Sequence, residues 1–485
     1  MGIIGTDWHD KLFGGGGWRA GGGDAIKVVA PASGEVLGAL ASASADDVER
    51  AAREASDAQQ DWARRTPSER ARVLRRAGQL WEEHADEIGE WIVKETGAIP
   101  PKAALETHIA AEECYEASGL PTHPLGEVLA TNEPHWSLAR RRPAGVVTVI
   151  SPFNFPLILS IRSVAPALAL GNAVLLKPDP RTSVSGGGSV VQVFREAGLP
   201  EGVLHLVPGG RETGEAAVTA NEVRVVSFTG STAAGRSVGA LGAQHLKRTH
   251  LELGGNSALV VLPGADLAKA VSAGAFGSFM HQGQICMTTG RHLVHESLRD
   301  EYVERLGATA DHLPVGDPAA GEVALGPIID GSQLAKIDDL VQTSVRSGAR
   351  LVAGGTYEGL FYRPTVLADV DGEMPAWREE VFGPVAPVRS FRTTDEAITL
   401  ARENDYGLSL GILGEVGEAM KVADEVPSGI VHINDQTVAD EANAPFGGVA
   451  ASGTGSRFGG ARANIDAFTE TQWLTVRPEI APYPF

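Results

Sequence analysis

Short runs of β-branched residues alternate with helix-length segments through the middle of the chain, and this alternation constrains the fold more than any other feature. Such runs occupy 145–151 (GVVTVIS), 172–178 (NAVLLKP) and 223–230 (VRVVSFTG), and an apolar helix-length segment follows the first of them. Strands separated by helices form βαβ units on a parallel sheet that is buried on both faces. The sequence therefore predicts an α/β fold whose first domain has a doubly wound parallel sheet of the nucleotide-binding type.

A second series of strands and helices begins with SALVVL at 257–262, directly after LELGG. This series predicts a second α/β domain. We interpret its later strands as ARLVAGG at 349–355, PTVLADV at 364–370 and GIVHIND at 429–435, with helices near 265–280 and 297–311.

Segment 123–141 differs from both series, because polar and apolar residues alternate there among several turn-forming residues. It has no helical period and predicts a β-hairpin, whose partner we expect to be the C-terminal FTETQWLTV at 468–476. We expect these pieces to form a small β extension through which copies of the chain associate, as a homodimer or a homotetramer. The predicted boundaries are 1–122 and 142–254 for the first domain, 255–450 for the second, and 123–141 with 451–485 for the extension.

Two N-terminal segments carry local signals. Thr66-Pro67-Ser68-Glu69 is typical of a helix start, with an N-cap threonine, a proline after it and a glutamate three residues beyond the cap. Apolar residues at helical spacing then predict one long amphipathic helix that ends near Gly97. Residues 14–23 are rich in glycine, and we interpret them as a loose surface loop.

Composition excludes several classes of function. The formal charge of -20 and the pI of about 5.1 would repel nucleic acid and anionic membranes over most of the surface. Two cysteines cannot form a disulfide framework, and without a histidine cluster at ligand spacing we expect no metal site. The N-terminus lacks a basic region followed by an apolar one, so we expect no signal peptide and a cytoplasmic location.

Four short stretches pair a reactive or hydrogen-bonding side chain with glycine or proline where a strand or helix ends: SPFNFP, FTGSTAAG, LELGG and QGQIC. Functional residues concentrate at such positions because loops there are held by rigid elements. Each stretch also has a purely structural interpretation. Asn154 either points a donor into a crevice or forms a turn, and Gly230 with Ser231 either approach a phosphate or cap a helix. Glu252 is either a buried general base or a surface carboxylate, and Cys286 is either a nucleophile or an apolar filler.

Together and in this order, the stretches resemble the aldehyde dehydrogenase superfamily over almost the whole chain, with motifs at PFNFP, LLKP, FTGST, LELGG, QGQIC and EEVFGP. The resemblance implies that Cys286 attacks the aldehyde to form a thiohemiacetal, which hydride loss converts to a thioester. It implies that Asn154 stabilises the oxyanion and that Glu252 activates the water that releases the acid. Cys114, on a predicted helix, is interpreted as filler.

The resemblance also implies a nicotinamide cofactor. Many NAD-specific relatives carry a glutamate three residues after the lysine of LLKP, and here Pro180 occupies that position, with Asp179 as a partial substitute. We therefore expect NAD, while NADP stays open because a missing carboxylate removes repulsion against a 2′-phosphate. The residues implied to contact the cofactor are Ser151, Phe153, Lys177, Asp179, Gly230, Ser231, Gly235, Leu253, Glu380 and Phe382.

The stretches LKPDPRT, HQGQICM, GRHLVH and VHINDQ and the final YPF are most similar to the benzaldehyde and vanillin dehydrogenase branch. Leu159, Ile285, Met287 and Phe446 either form an apolar mouth suited to an aromatic ring or belong to ordinary packing. Arg162 faces either the substrate tunnel or a structural carboxylate. An arginine in the tunnel would favour an acidic semialdehyde over an aromatic aldehyde. An aliphatic aldehyde substrate stays open, as does hydrolysis of an ester or thioester without a cofactor.

Overall fold

The computed structural model describes residues 2–485, and its first large sheet has seven strands. The first five strands in spatial order are parallel, and an antiparallel hairpin is added at one edge. The fold is therefore α/β, as the sequence predicts. In spatial order the strands are Arg248–Glu252, Val223–Thr229, Val146–Ile150, Ala173–Lys177, Leu204–Leu206, Lys11–Gly14 and Gly17–Ala20.

The strand order reverses at Val146–Ile150. The next strand along the chain, Ala173–Lys177, pairs on one side of it, whereas Val223–Thr229 pairs on the other side. In such sheets a crevice opens outside the carboxyl ends of the two strands that flank the reversal, and ligands bind there. SPFNFP and FTGSTAAG follow the two strands that border this crevice.

Helices pack with this sheet into one large hydrophobic core. No helix within residues 2–485 is both long and apolar enough to cross a membrane. The helices of this part are Ala45–Arg64, Pro67–Glu83, Ala85–Thr96, Pro100–Gly119, Pro156–Ala169, Ser189–Glu196, Arg211–Thr219 and Thr232–Gln244, with short 3-10 or π turns at Leu120–Thr122, Pro180–Thr182 and Val184–Gly188 and a separate hairpin of Ala25–Val29 and Val36–Ala41.

The second large sheet also has seven strands, and its edge strand Arg350–Ala353 is antiparallel to the parallel remainder. In spatial order the strands are Arg350–Ala353, Thr365–Ala368, Val385–Phe391, Thr289–His295, Ser257–Val261, Ser409–Leu413 and Ile430–Ile433. The helices are Leu267–Phe279, Glu296–His312, Gly331–Arg346, Pro375–Arg378, Thr394–Ala401 and Val416–Glu425, with a 3-10 turn at Met280–Gly283 and small strand pairs at Tyr357–Glu358 with Phe361–Tyr362 and Tyr406–Gly407 with Val449–Ala450.

A three-stranded antiparallel sheet, here called the arm, joins Gly126–Val128, Trp136–Pro143 and Thr469–Val476. Thr469 pairs with Pro143 and Val476 with Trp136, so the predicted pairing of hairpin and C-terminal strand is confirmed. The preceding helix Ala461–Phe468 lies within 451–485, the segment that the sequence predicts to belong to the extension. Its buried residues Ala467 and Phe468 belong to the core of the first sheet rather than to the arm.

Two local expectations are corrected by the structure. The predicted capping box at Thr66 and Glu69 is present, but the helix that it begins ends at Glu83, and a second helix runs from Ala85 to Thr96. His84 separates them with a non-helical backbone (φ -115°, ψ 19°). The interpretation of residues 14–23 as a loose loop is wrong for their first part, because Gly17–Ala20 pairs with Lys11–Gly14 at the sheet edge. Pairing with a neighbouring strand supplies the order that the glycine-rich segment does not show by itself.

Candidate active site

Cys286 lies in a tight turn immediately before strand Thr289–His295, where the Thr288 N–H donates to the Ile285 carbonyl at 2.9 Å. The side chain is partly accessible, unlike that of Cys114, which is fully buried as expected for filler. Burial raises the pKa of the Cys286 thiol to about 12, and the nearby carboxyls of Glu380 and Glu252 contribute to this increase to a smaller extent. The resting thiol is therefore protonated at neutral pH, and nucleophilic attack needs a base.

Asn154 is 3% exposed and lies between strand Val146–Ile150 and helix Pro156–Ala169. Its side-chain Nδ2 donates to the main-chain oxygen of Gln284, two residues before Cys286, at 2.9 Å. This hydrogen bond connects the loop of the first sheet to the loop that carries the cysteine. An amide nitrogen has two N–H groups, so a second donor is left for a ligand, and Asn154 and Cys286 line the same cavity.

Glu252 ends strand Arg248–Glu252 and is 3% exposed. Its Oε2 accepts from the Gly448 N–H at 3.1 Å, whereas its Oε1 has no hydrogen-bond partner. Burial raises the pKa of this carboxyl to about 8, which lies in the range suited to a general base. Glu252 does not line the cavity at Cys286, but Oε1 lies beside Gly447, the residue after the lining residue Phe446.

A cavity of about 270 Å³ opens beside Cys286. All five residues predicted to bind substrate line it: Leu159, Arg162, Ile285, Met287 and Phe446. Asn154 and Cys286, which are predicted to be catalytic, line it as well. The sequence does not predict the other lining residues, although Phe155 and Ile158 flank predicted ones and Leu105 and Ile109 lie one helical turn apart. No site role is predicted for the remainder, Phe276, Met280, Gln436, Val438, Ala439, Asp440 and Glu441, although Met280 directly precedes HQGQICM and Gln436 ends VHINDQ.

Arg162 combines both of its predicted orientations, since it lines the cavity and also contacts structural carboxylates. Its Nε donates to Glu113 Oε1 at 3.0 Å and its Nη2 to Asp440 Oδ2 at 2.5 Å. The guanidinium carbon lies 4.6 Å from the centre of the Phe446 ring, within the range of a cation–π contact. Nη1 is buried and has no partner. Its N–H groups can therefore donate to a ligand, although two acidic residues already match the positive charge.

Lys177 ends strand Ala173–Lys177 at the crevice, and its Nζ donates within the protein to the Pro178 carbonyl at 3.3 Å. Burial lowers the pKa of this amine, and the remaining N–H donors are available to a ligand. Asp179 is occupied, because Arg181 donates to its two oxygens at 2.9 and 2.8 Å. The negative charge of Asp179 is therefore already paired with Arg181, whose guanidinium also lies 4.2 Å from the Phe153 ring centre.

Ser231 caps helix Thr232–Gln244 by accepting from the Ala234 N–H at 3.3 Å, so the structural interpretation of this serine applies. The helix start still presents backbone N–H groups at the crevice, where they can bind a phosphate. Gly235 contacts Leu253 so closely that a Cβ there would lie 2.2 Å from a leucine methyl carbon. Gly230 donates its N–H to the Glu252 carbonyl at 3.0 Å, which links the helix start to the strand carrying Glu252.

The remaining predicted cofactor residues are Glu380, Phe153, Phe382 and Ser151. Glu380 Oε1 accepts from the Gly255 N–H at 2.9 Å, and burial raises the pKa of this carboxyl to about 7. The Phe153 and Phe382 rings meet edge to face with centres 5.9 Å apart. Ser151 accepts from the Ser160 hydroxyl at 2.7 Å. A crevice at the strand reversal with a partly unpaired lysine and a helix start fits a dinucleotide.

A sequence profile described as "Aldehyde dehydrogenase family" matches residues 18–474. The chain belongs to the aldehyde dehydrogenase family. This aldehyde dehydrogenase is 62% identical over 479 residues to a vanillin dehydrogenase of an Amycolatopsis species, covering 99% of this chain and 98% of that protein. It is 45% identical over 480 residues to benzaldehyde dehydrogenase [NAD(+)] of Pseudomonas putida, with 99% and 98% coverage.

Among solved structures, the aldehyde dehydrogenase superposes on a salicylaldehyde dehydrogenase from Pseudomonas putida G7, complexed with salicylaldehyde, with a TM-score of 0.94. The two sequences are 37% identical, and the match covers 98% of this chain and 99% of that chain. The predicted family and the α/β fold are therefore confirmed, and the family uses a nicotinamide cofactor.

Proposed function

We propose that this aldehyde dehydrogenase oxidises an aromatic aldehyde to its carboxylic acid with NAD or NADP. The cavity beside Cys286 carries the proposal, because most of its lining is apolar and its volume of about 270 Å³ lies at the small end of ligand pockets. Typical pockets for drug-sized ligands are larger, about 300–1,000 Å³. The names of the three relatives, which are vanillin, benzaldehyde and salicylaldehyde dehydrogenases, support an aromatic substrate.

In the proposed reaction the Cys286 sulfur attacks the aldehyde carbon and forms a C–S bond. The pKa of about 12 requires removal of the thiol proton, for which Glu252 is the nearby buried base. The carbonyl oxygen becomes an oxyanion, and the free N–H of Asn154 and the backbone N–H of Cys286 are proposed to donate to it. Removal of one such donor typically costs about 10²–10³ in rate.

A bound nicotinamide supplies the acceptor for the hydride that leaves the former aldehyde carbon. A thioester then stays on Cys286. Glu252, after it has released the thiol proton to solvent, takes a proton from water. The resulting hydroxide attacks the thioester carbon, and the C–S bond breaks to release the acid and the thiolate. The unpartnered Oε1 of Glu252 supports this role, since a hydrogen-bonded oxygen would be a weaker base.

Cofactor use is proposed to include both NAD and NADP. Pro180 provides no carboxylate for the adenosine ribose, and Asp179 is held by Arg181. The partly unpaired Lys177 Nζ can donate to a ribose hydroxyl or to a 2′-phosphate. The proposed pyrophosphate side is shaped by Gly230, Ser231, Gly235 and Leu253, and the proposed nicotinamide side by Glu380 and Phe382.

The surroundings of Arg162 favour a neutral aldehyde substrate over an acidic semialdehyde. Glu113 and Asp440 already place two carboxyls against one guanidinium, so Arg162 has no unmatched positive charge to offer a substrate carboxylate. The free Nη1 suits an oxygen substituent on the ring, because a buried donor without an acceptor is unfavourable. We therefore propose a ring-oxygenated benzaldehyde as the preferred substrate.

The test is reduced-cofactor formation from benzaldehyde, vanillin, a short aliphatic aldehyde and succinic semialdehyde, each with NAD and with NADP. We expect the aromatic aldehydes to give the highest kcat/KM, and Cys286→Ala to lose about 10⁴-fold or more, the scale for losing a covalent nucleophile. Cys114→Ala is the matched control and should retain activity. Preference for the semialdehyde would overturn the aromatic assignment, whereas ester hydrolysis without any cofactor-dependent oxidation would point to a hydrolase.

We also propose that the arm mediates assembly into a homodimer or homotetramer. Trp136 and Trp473 are 67% and 70% exposed on adjacent arm strands, and Val128 is 70% exposed on the third. Strand Thr469–Val476 is at the sheet edge, with one row of backbone groups free to pair. Exposed aromatic side chains beside an open edge favour contact with a second copy.

A further inference from the structure

A buried ion pair lies directly beneath the loop that carries Asn154. Lys102 and Glu106 are one turn apart on helix Pro100–Gly119, their side chains are completely buried, and they contact each other. Lys102 Nζ also donates to the Asn154 main-chain oxygen at 2.7 Å. Neither residue lines the substrate cavity, so the pair acts on the site only through its neighbours.

Glu106 makes a second connection to the same loop. Its Oε2 accepts from the N–H groups of Leu157 and Ile158, at 3.1 and 3.3 Å, in the first turn of helix Pro156–Ala169. The N-cap residue of that helix is Phe155, which has no side-chain oxygen. Glu106 therefore satisfies helix N–H groups that lack a local acceptor, and its negative charge stabilises the positive end of the helix dipole.

Stability alone gives a weak reason for this pair. Moving two charges out of water is costly, and replacement of a buried ion pair by apolar side chains is often neutral or stabilising. The ion pair also restricts the position of Asn154. Lys102 anchors the main-chain oxygen of Asn154, and the Asn154 side chain is anchored separately to Gln284. These two hydrogen bonds restrict both the main chain and the side-chain amide of Asn154.

We propose that Lys102 and Glu106 are positioning residues for the oxyanion donor Asn154, an inference that rests on the proposed function of that amide. They fix the loop and the helix start between which Asn154 lies, and they do not touch the reacting atoms. The same helix carries Glu113, which holds Arg162, so one helix orients both the oxyanion donor and the pocket arginine. Displacement of a reacting group by about 1 Å can cost on the order of 10²-fold in rate.

A double-mutant cycle in the full-length enzyme tests this inference. Lys102→Met is measured in the wild-type and in the Asn154→Ala background, with kcat, the KM for cofactor and thermal unfolding as readouts. We expect Lys102→Met to lower kcat by about 10- to 100-fold in the wild type and by less than about twofold when Asn154 is already removed. The KM for cofactor should change less than kcat, because Lys102 makes no hydrogen bond to the predicted cofactor residues.

Lys102→Met leaves Glu106 buried without its partner and can prevent folding. The variant Lys102→Met/Glu106→Gln removes both charges and is measured for this reason. It should fold and still lose kcat. Equal losses in the two Asn154 backgrounds, or wild-type kcat in the doubly neutral variant, would overturn the inference. Unchanged kcat in Asn154→Ala alone would instead remove the oxyanion role, and the positioning role would fall with it.

Glu95 provides a matched control, because it is a second buried carboxylate that accepts from helix-start N–H groups. It binds those of Val184 and Ser185, at 3.0 and 2.6 Å, and makes no hydrogen bond to the Asn154 loop. Glu95→Gln should lower the unfolding temperature, and any change in kcat should be the same with and without Asn154. If Glu95→Gln and Lys102→Met showed the same dependence of the kcat loss on Asn154, the loss would be explained by removal of a buried charge and not by its position beside Asn154.

Discussion

Gly255 lies so close to the main-chain oxygen of Cys286 that a Cβ on the glycine would stand 2.3 Å from it. The same glycine donates its N–H to Glu380 Oε1 at 2.9 Å. One backbone position thus joins the strand of Glu252, the turn of the predicted nucleophile and a predicted cofactor carboxyl. Position 255 requires glycine because a larger residue has no room there, and not because of its backbone conformation, since its φ is not in the left-handed region.

Substitution Gly255→Ala should displace the Cys286 turn, because a backbone oxygen cannot move as a side-chain end can. We expect kcat to fall by about 10²-fold, the scale for a misplacement near 1 Å. The rates of aldehyde oxidation and of thiol alkylation measure this. Gly119→Ala is the control, since nothing lies within 4 Å of its Cβ position. Equal activity of both variants would show that the turn tolerates displacement.

The pH dependence of kcat should report Glu252. Burial raises the pKa of this carboxyl to about 8, and the base role requires the carboxylate, so kcat should rise with pH through about 8. Glu252→Gln should lose this rising limb together with most of the activity. A rising limb that persists in the variant would assign it to another group.

The free energy of unfolding should depend on the Glu252 carboxyl in the opposite direction to kcat: it should fall as pH rises. Between its unfolded pKa near 4.5 and its folded pKa of about 8, the folded state holds a proton that the unfolded state has released. Its contribution therefore favours folding at low pH and is lost as pH rises through this window. Glu252→Gln, which cannot ionise, should unfold at a higher temperature than the wild type above pH of about 8. An equal or lower unfolding temperature there would contradict the raised pKa.

Cofactor selectivity should change with Pro180→Glu. A carboxylate at this position can accept from the adenosine ribose hydroxyls of NAD and repels the 2′-phosphate of NADP. We expect the ratio of kcat/KM for NAD over NADP to rise about tenfold or more. Pro180→Gln, which has a similar shape without the charge, should raise the ratio much less. Identical ratios in the two variants would place the adenosine ribose away from residue 180.

Assembly should depend on Trp473, whose ring is exposed on the edge strand of the arm. Trp473→Glu introduces a charge at the proposed contact and should shift the enzyme to a smaller species in sedimentation velocity. Trp473→Phe retains an aromatic surface and should assemble normally. An unchanged sedimentation coefficient in the glutamate variant would remove the arm from the interface.

Local sequence predicted best where one chain segment contains its own signal. The capping box at Thr66 and the strand Val146–Ile150 are of this kind. Prediction failed where a partner outside the segment decides the outcome. Gly17–Ala20 is ordered by pairing at a sheet edge, and Asp440 lines the site and accepts a hydrogen bond from Arg162, which is far from it along the chain. The pair of Lys102 and Glu106 was missed because charged residues four apart on a helix usually lie on a solvated face.

The order of residues along the chain is enough to place Asn154, Gly230 and Glu252 at one edge of the first sheet. Each follows or ends a parallel strand, and the carboxyl ends of parallel strands lie together. It is not enough to place Cys286, because this residue precedes a strand of the second sheet. The packing of the two sheets brings the cysteine to that edge, through the close contact at Gly255 and the hydrogen bond from Asn154 to Gln284. No local pattern encodes these contacts, since they join segments that lie far apart along the chain.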